Sequence, residues 1–178
     1  MAKKKDKIIL IDADVVSHFI KASEIYFLCS IFDYDIKVLD KVYAELERFP
    51  KKKIEIDNLI NQKILEIEKF PEENQEIVKE YFYIKNKLFK GDGESACLAV
   101  ARYTENIVAS SNLKDIRQYC NLHNVEYLAT MDFLCEAYRK GIFDLERCNK
   151  FITNVLAENG RLPVKKMEDY TCKQFNFK

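Results

Sequence analysis

The chain has 178 residues, 48% of them hydrophobic and 33% charged, with 29 basic side chains against 29 acidic. That suits one domain with a real core, and a net charge of zero argues against engaging polyanions through an overall field, though not against a local basic rim around an acidic site. Asp12 and Asp14 break the apolar run after MAKKKDK too soon for a signal peptide, and no stretch reaches the ~20 apolar residues of a membrane helix, so a soluble, cytoplasmic protein without membrane contact is expected. The six cysteines (Cys29, Cys97, Cys120, Cys135, Cys148, Cys172) form no CxxC pair and sit mostly in apolar patterns, the usage of small buried hydrophobes in a reducing compartment. Four glycines and three prolines leave no flexible linker, and no internal repeat is visible.

Lys7 to Ala13 is a nearly continuous apolar run, the pattern of a strand covered on both faces. A helix follows from about Val15 through HFIKASEIYFLCSIF, with a break expected at Ala22 to Glu24. DIKVL predicts a short strand, and Asp40 an N-cap for a helix over KVYAELERF, which Pro50 and Lys51 to Lys53 are expected to end. Residues 51–90 read as a helical insert. Its first helix carries Ile56, Leu59, Ile60, Ile64 and Ile67 at helical spacing, and its second runs from near Pro71 to Leu88. Gly91-Asp92-Gly93-Glu94 opens a short, very apolar helix, SACLAVA. NIVAS and VEYLA predict strands on either side of a helix over NLKDIRQYC. A helix over MDFLCEAYRKG then precedes a C-terminal helical extension, about 142–178, that ends in a short tail helix. Strands alternating with helices predict a single α/β domain with a parallel sheet flanked by helices, its functional groups at the carboxyl ends of the strands.

Four carboxylates stand where apolar segments end: Asp12 after KIILI, Glu45 in VYAEL, Glu94 in GDGESACLAVA and Asp115 just after NIVASSN. Next to low-dielectric surroundings each is costly unless something positive meets it. Several such acids from distant stretches point to a shared cation. Magnesium or manganese takes hard oxygen ligands and keeps open positions, and it supplies what phosphodiester hydrolysis requires: an activated water, a polarised phosphoryl oxygen and a stabilised leaving oxygen. Plainer roles stand beside this one. Asp12 ends a strand or caps a helix, Glu45 faces solvent, and Glu94 complements a helix dipole with Asp92 as N-cap. Ser110, Ser111 and Asn112 suit an N-cap or the orientation of a ligand, and Asp132 caps the helix it opens. Asp115 has no basic residue at i+3 or i+4, so a surface ion pair is less natural. His18 and His123, the only histidines, have no recognisable partner or zinc-ligand spacing.

On these residues the chain resembles the PIN-domain nucleases, from about residue 7 to residue 160. IILIDADVV, VYAELER, GDGESACLAVA and IVASSNLKDI carry the resemblance; each is weak alone, but their order and spacing are fairly specific. The stretch VEYLATMDFLCEAYRKGIFDLERCNKFITNVLAENG is similar to the subgroup with a C-terminal helical extension. The resemblance implies a three-layer α/β/α sandwich with a central, mostly parallel sheet of about five strands, acting as a single-stranded RNA endoribonuclease. It makes Asp12, Glu45, Glu94 and Asp115 the catalytic acids, with Asp12, Glu94 and Asp115 holding Mg2+ or Mn2+. Asp14, Asp92, Ser110, Ser111 and Asn112 would support them. Family members often have an acid where Ser111 or Asn112 stands here. Lys85, Lys87 and Lys90, a basic run just before Glu94, and Lys114 are the candidates for contacting RNA phosphates, although a solvated helix face explains each lysine as well. Toxin-type relatives are neutralised by a small protein, so an antitoxin-like partner or a homodimer contact on the 51–90 arm also follows. Two other readings stay open. One is a catalytically degenerate PIN-like module that binds nucleic acid or protein. The other is a haloacid-dehalogenase-like phosphatase with Asp12 as nucleophile, Asp14 as general acid, and Ser110 and Lys114 assisting.

Overall fold

The computed structural model describes residues 7–88 and 91–175. β1 (Ile8–Ile11) is the run IILI, buried from Ile9 onward, and its cover on both faces places it at the centre of the sheet. α1 (Ala13–Lys21) stops where expected, with Ser23 at φ 60° turning the chain. A 3-10 turn over Ile25–Phe27 and the four-residue α2 (Leu28–Ile31) lead to β2 (Asp35–Leu39). In α3 (Asp40–Leu46) the N-cap is Leu39, one residue before the expected Asp40. The Asp40 carboxylate instead accepts the N–H groups of Lys41 and Phe70, at 2.8 and 3.1 Å.

Pro50 opens an element and does not end one. It is the first residue of α4 (Pro50–Asn61), where its fixed φ suits a helix and its missing N–H has no intrahelical partner to lose. The arm 51–90 also holds more than two helices. After α4, Lys63 turns the chain at φ 57° and Glu66–Glu68 form β3, so Ile67 lies in an edge strand and not on a helix face. Asn74 caps α5 (Gln75–Tyr83) by accepting the N–H groups of Glu76 and Ile77, and a π-turn over Ile84–Leu88 follows. Then come α6 (Asp92–Thr104), β4 (Ile107–Ala109), α7 (Leu113–His123), β5 (Tyr127–Leu128), α8 (Thr130–Arg139) and α9 (Leu145–Ala157). A single 3-10 turn, Met167–Asp169, stands where a tail helix was expected.

The five strands are all parallel, in the order β3-β2-β1-β4-β5, and the helices cover the sheet as an α/β/α sandwich. Strand order reverses at β1: β2 and β3 extend to one side, β4 and β5 to the other. In open α/β sheets the crevice beyond the carboxyl ends at such a switch point is where ligands bind. On one face Phe19 packs edge-on against Phe133 and Phe151, with ring centroids 5.8 and 4.9 Å away, locking α1 to α8 and α9. No helix among the described residues is long and apolar enough to cross a membrane.

Cys135 and Cys172 form a disulfide, with Cα atoms 5.7 Å apart, which corrects the expectation that both are reduced apolar fillers. The chain's return past α9 brings together two residues separated by 37 positions, and nothing in that spacing announces the pairing. Cys97, Cys120 and Cys148 are buried as expected, and Cys29 is half-buried. Closing so long a loop stabilises a fold by up to about 4 kcal/mol through lost unfolded-state entropy. Reduction, or Cys172→Ser, is therefore expected to cost about 2–4 kcal/mol, read as a lower melting temperature in dithiothreitol. An unchanged melting temperature would mean that the tail's other contacts hold it unaided.

Candidate active site

The ends of β1 and β4 fix the site. The Asp12 N–H donates to the Ala109 carbonyl at 2.8 Å, pinning Asp12 where the two strands finish side by side. Asp12 occupies the N-cap of α1, yet its carboxylate makes no capping hydrogen bond. The residue is only 7% exposed and its Oδ1 has no partner. Two residues on, Asp14 Oδ2 accepts the Ser111 N–H at 2.8 Å. Glu94, in the first turn of α6, is also 7% exposed. The Ser110 hydroxyl donates to Glu94 Oε1 at 3.1 Å and lies 3.5 Å from Asp14 Oδ2. The Asn112 amide donates to Asp115 Oδ2 at 2.7 Å and reaches Glu94 Oε2 at 3.5 Å. Ser110 and Asn112 thus link Asp14, Glu94 and Asp115 in one chain of contacts. Glu45 arrives from α3 and accepts the Gly93 N–H at 2.9 Å.

Asp12, Asp14, Glu45, Glu94 and Asp115 line a single cleft of about 670 Å³. Gly93 makes their approach possible, a role the sequence signalled only by its place before Glu94. A Cβ there would stand 3.1 Å from Asp12 Oδ1, 3.1 Å from Glu45 Oε2 and 2.9 Å from Val42 Cγ2, so any side chain would push the acids or α3 aside. Among the described residues, no three His, Cys, Asp or Glu side chains are already gathered as a metal-ligand group.

Burial pushes the Asp12 carboxyl well above the usual range, and the charges of Asp14, Glu94 and Glu45 push it further, against the Ala13 N–H. Asp14 is raised by burial and held back by the N–H groups of Ser111 and Val15. Burial is the largest cause at Glu94 too; Asp14 and Asp115 add to it, Ser110 and Asn112 oppose it, and its pKa stands at about 7. Among the described residues no lysine or arginine makes an ion pair with any of the five acids.

The other candidates divide. Ser111 and Asn112 line the cleft, and Ser110 stands behind Glu94. Asp92 does not line it: its carboxylate takes the Tyr81 hydroxyl at 2.6 Å and the Lys85 ammonium at 2.5 Å, which also commits Lys85. Lys87 is exposed on the π-turn. Lys114 lies in a separate depression with Leu113, Arg117 and Gln118, and Lys90 falls outside the described residues. The cations that line the cleft are Lys21, Lys52 and Arg161, none of them singled out from sequence. Lys21 was within reach, since it stands seven residues after Asp14 and so on the same face of α1. His18 has the partner that sequence did not reveal: its Nδ1 is 2.8 Å from Thr130 Oγ1, which in turn meets Ser111 Oγ at 2.5 Å. Burial, then Lys21 and Lys52, lower the His18 pKa to about 4, so the ring is neutral. Asp132 does not open α8 as expected: Ala129 is the N-cap, and Asp132 lies at the third helical position, where its carboxylate reaches back to accept the Ala129 N–H at 2.8 Å.

No family model matches the chain, and no curated protein matches it at a significant level.

Between its ordinary value of 4.5 and about 7, Glu94 keeps in the folded state a proton that the unfolded chain has lost, so its contribution to stability falls as pH rises through that window. His18 acts in the opposite sense: between about 4 and 6.5 only the unfolded chain is protonated there, and stability rises with pH. Wild-type melting curves mix these two with Asp12 and Asp14, whose carboxyls are raised in the same sense as Glu94. The difference between Glu94→Gln and wild type reads the Glu94 charge together with its push on Asp12, which has the same sign. Without metal, the variant is expected to gain stability progressively between about pH 5 and 7, by on the order of 1–3 kcal/mol. Thermal melts in EDTA measure it, and a gap that does not change with pH would show that Glu94 titrates as an ordinary exposed acid.

Proposed function

We propose that the chain is a PIN-like, metal-dependent nuclease that hydrolyses phosphodiester bonds of single-stranded RNA. The observation that carries the proposal is Asp12 Oδ1, a buried and unpartnered carboxylate oxygen at the switch point, surrounded by further acids and by no ion-pairing cation among the described residues. The donors fit a hard divalent ion: all are oxygens, one is unsatisfied, and Gly93 clears space between Asp12 and Glu45. Magnesium binds through one or two carboxylates and keeps several waters, so it does not require a ready-made group of three. Asp12, Glu94 and Asp115 would hold Mg2+ or Mn2+, with Glu45 beside them. When bound, such an ion polarises a phosphoryl oxygen and lowers the pKa of water.

The chain's own groups do the holding. Ser110 fixes Glu94, Asn112 fixes Asp115, and Asp14 fixes the turn after β4 through the Ser111 N–H. The preference for RNA rests on the four sequence segments that resemble PIN nucleases. The phosphatase alternative loses its assisting pair, because Lys114 lies outside the cleft and the Ser110 hydroxyl is committed to Glu94. A catalytically degenerate module is favoured by one observation, the lack of a pre-gathered ligand group among the described residues.

Calorimetric titration with manganese, followed by incubation with mixed RNAs and DNAs, separates the two. Wild type is expected to bind manganese and to cleave RNA only in its presence; no binding would leave the degenerate module. Asp12→Asn is expected to lower cleavage by at least about 100-fold. Its melting temperature without metal should equal or exceed that of wild type, because a desolvated, repelled charge is removed. Cleavage that survived in Asp12→Asn would remove Asp12 from the mechanism.

A further inference from the structure

The cleft carries charge of both signs. Besides the five acids it is lined by Lys21 at the end of α1, Lys52 in the first turn of α4, and Arg161 just beyond α9. The neighbours of Lys52 are neutralised: Lys51 pairs with Glu158 at 3.8 Å, and Lys53 with Asp57 at 2.6 Å. Lys52 has no carboxylate among the described residues. It is half-buried, with its ammonium 4.4 Å from the centre of the Phe49 ring. Lys21 is likewise half-buried and without an ion pair among the described residues. The two lysines are close enough that Lys21 adds to burial in lowering the Lys52 pKa, and both depress His18. Three lysines in the first turn of a helix, with no acid there, also oppose the helix dipole.

Like charges held together, partly desolvated and unpartnered do not help the chain fold; an anion placed between them would relieve the repulsion. The acids of the same cleft do not serve, since none pairs with these cations. A ligand that meets both halves must therefore bring a second negative group to the lysines. A nucleic-acid strand does so at every nucleotide.

We propose that Lys21, Lys52 and Arg161 form a phosphate subsite, which holds a backbone phosphate neighbouring the one presented to Asp12 and Glu94. The identity of the ligand as a nucleic-acid strand rests on the nuclease proposal. The preferred substrate is then an oligonucleotide with at least two backbone phosphates, and a dinucleoside monophosphate reaches only the acidic half.

The test is a Lys21→Ala/Lys52→Ala double variant beside a Lys21→Arg/Lys52→Arg control. Binding of a fluorescent single-stranded RNA oligomer is followed by anisotropy in calcium, and cleavage of the oligomer and of a dinucleoside monophosphate is followed in manganese. The alanine variant is expected to bind the oligomer at least about tenfold more weakly, with a salt dependence shallower by about one phosphate contact. Its manganese affinity and its melting temperature should be equal to or higher than those of wild type, its cleavage of the dinucleoside monophosphate should persist, and the arginine variant should retain oligomer binding. Unchanged oligomer binding in the alanine variant, no binding by wild type, or no retention by arginine would each overturn the subsite. Lysine-dependent oligomer binding without manganese-dependent cleavage upholds the subsite and overturns the nuclease proposal.

Discussion

Unrelieved repulsion among desolvated carboxylates at the ends of β1 and β4 is the constraint around which this fold is arranged. Elsewhere the chain neutralises one buried and one half-buried acid with arginine. Glu80 takes the Tyr119 hydroxyl at 2.6 Å and the Arg102 guanidinium at 2.7 Å, and Glu24 takes a two-pronged contact from Arg147, which itself lies against Phe27 and Phe143. Those acids have complete sets of partners and need nothing from outside. Asp12 has neither a cation nor a donor for Oδ1, and Glu94 has only neutral donors. Arginine pairs with those two acids and, among the described residues, with none of the five in the cleft, which is what supports reading the cluster as a ligand site.

The scaffold explains how the cluster persists without a partner. The central parallel sheet fixes Asp12 by its backbone, through the bond to Ala109. α6 is buried from Gly93 to Ala101 and cannot withdraw, which holds Glu94 in place. Gly93 lets α6 meet α3 closely enough for Glu45 to join. α1 presents Asp14, His18 and Lys21 along one face, so one helix spans the cleft from its acidic to its basic part. Lys21 at the carboxyl end of α1 also suits that helix's dipole.

Long, uninterrupted patterns made much of this legible in the sequence. IILI and IVA could be read as buried strands because every residue is apolar, and Asp12 stood out because it ends such a run. β3 was hidden because Glu-Ile-Glu is too short to compete with the helical spacing of Ile56 to Ile60, which made Ile67 look like a continuation. Pro50 was misassigned because proline ends one helix and starts another with equal ease. The locally basic run Lys85 to Lys90 drew notice because no acid interrupts it, yet Asp92, only seven residues from Lys85, neutralises its first member. By contrast the cations of the cleft come from three separate stretches of chain, and the Cys135–Cys172 bond and the His18–Thr130 contact join residues that only the tertiary fold brings together.

Net neutrality and a cleft of two signs together set the terms of binding. With 29 basic and 29 acidic side chains the protein has little field to draw a polyanion from afar, and at physiological salt charges are screened beyond about 8 Å. A phosphate entering the cleft alone would gain at the lysines and lose at the acids. A divalent ion among the acids reverses the second effect, so in the proposed scheme ion and strand each raise the affinity for the other. Reciprocity of that kind follows from thermodynamic linkage, since two ligands coupled through one field must alter each other's binding by the same factor. The apparent waste of stability at Asp12 and Lys52 then has one origin. In the proposed scheme each half of the cleft takes a partner of opposite charge, and among the described residues the two halves form no ion pair with one another.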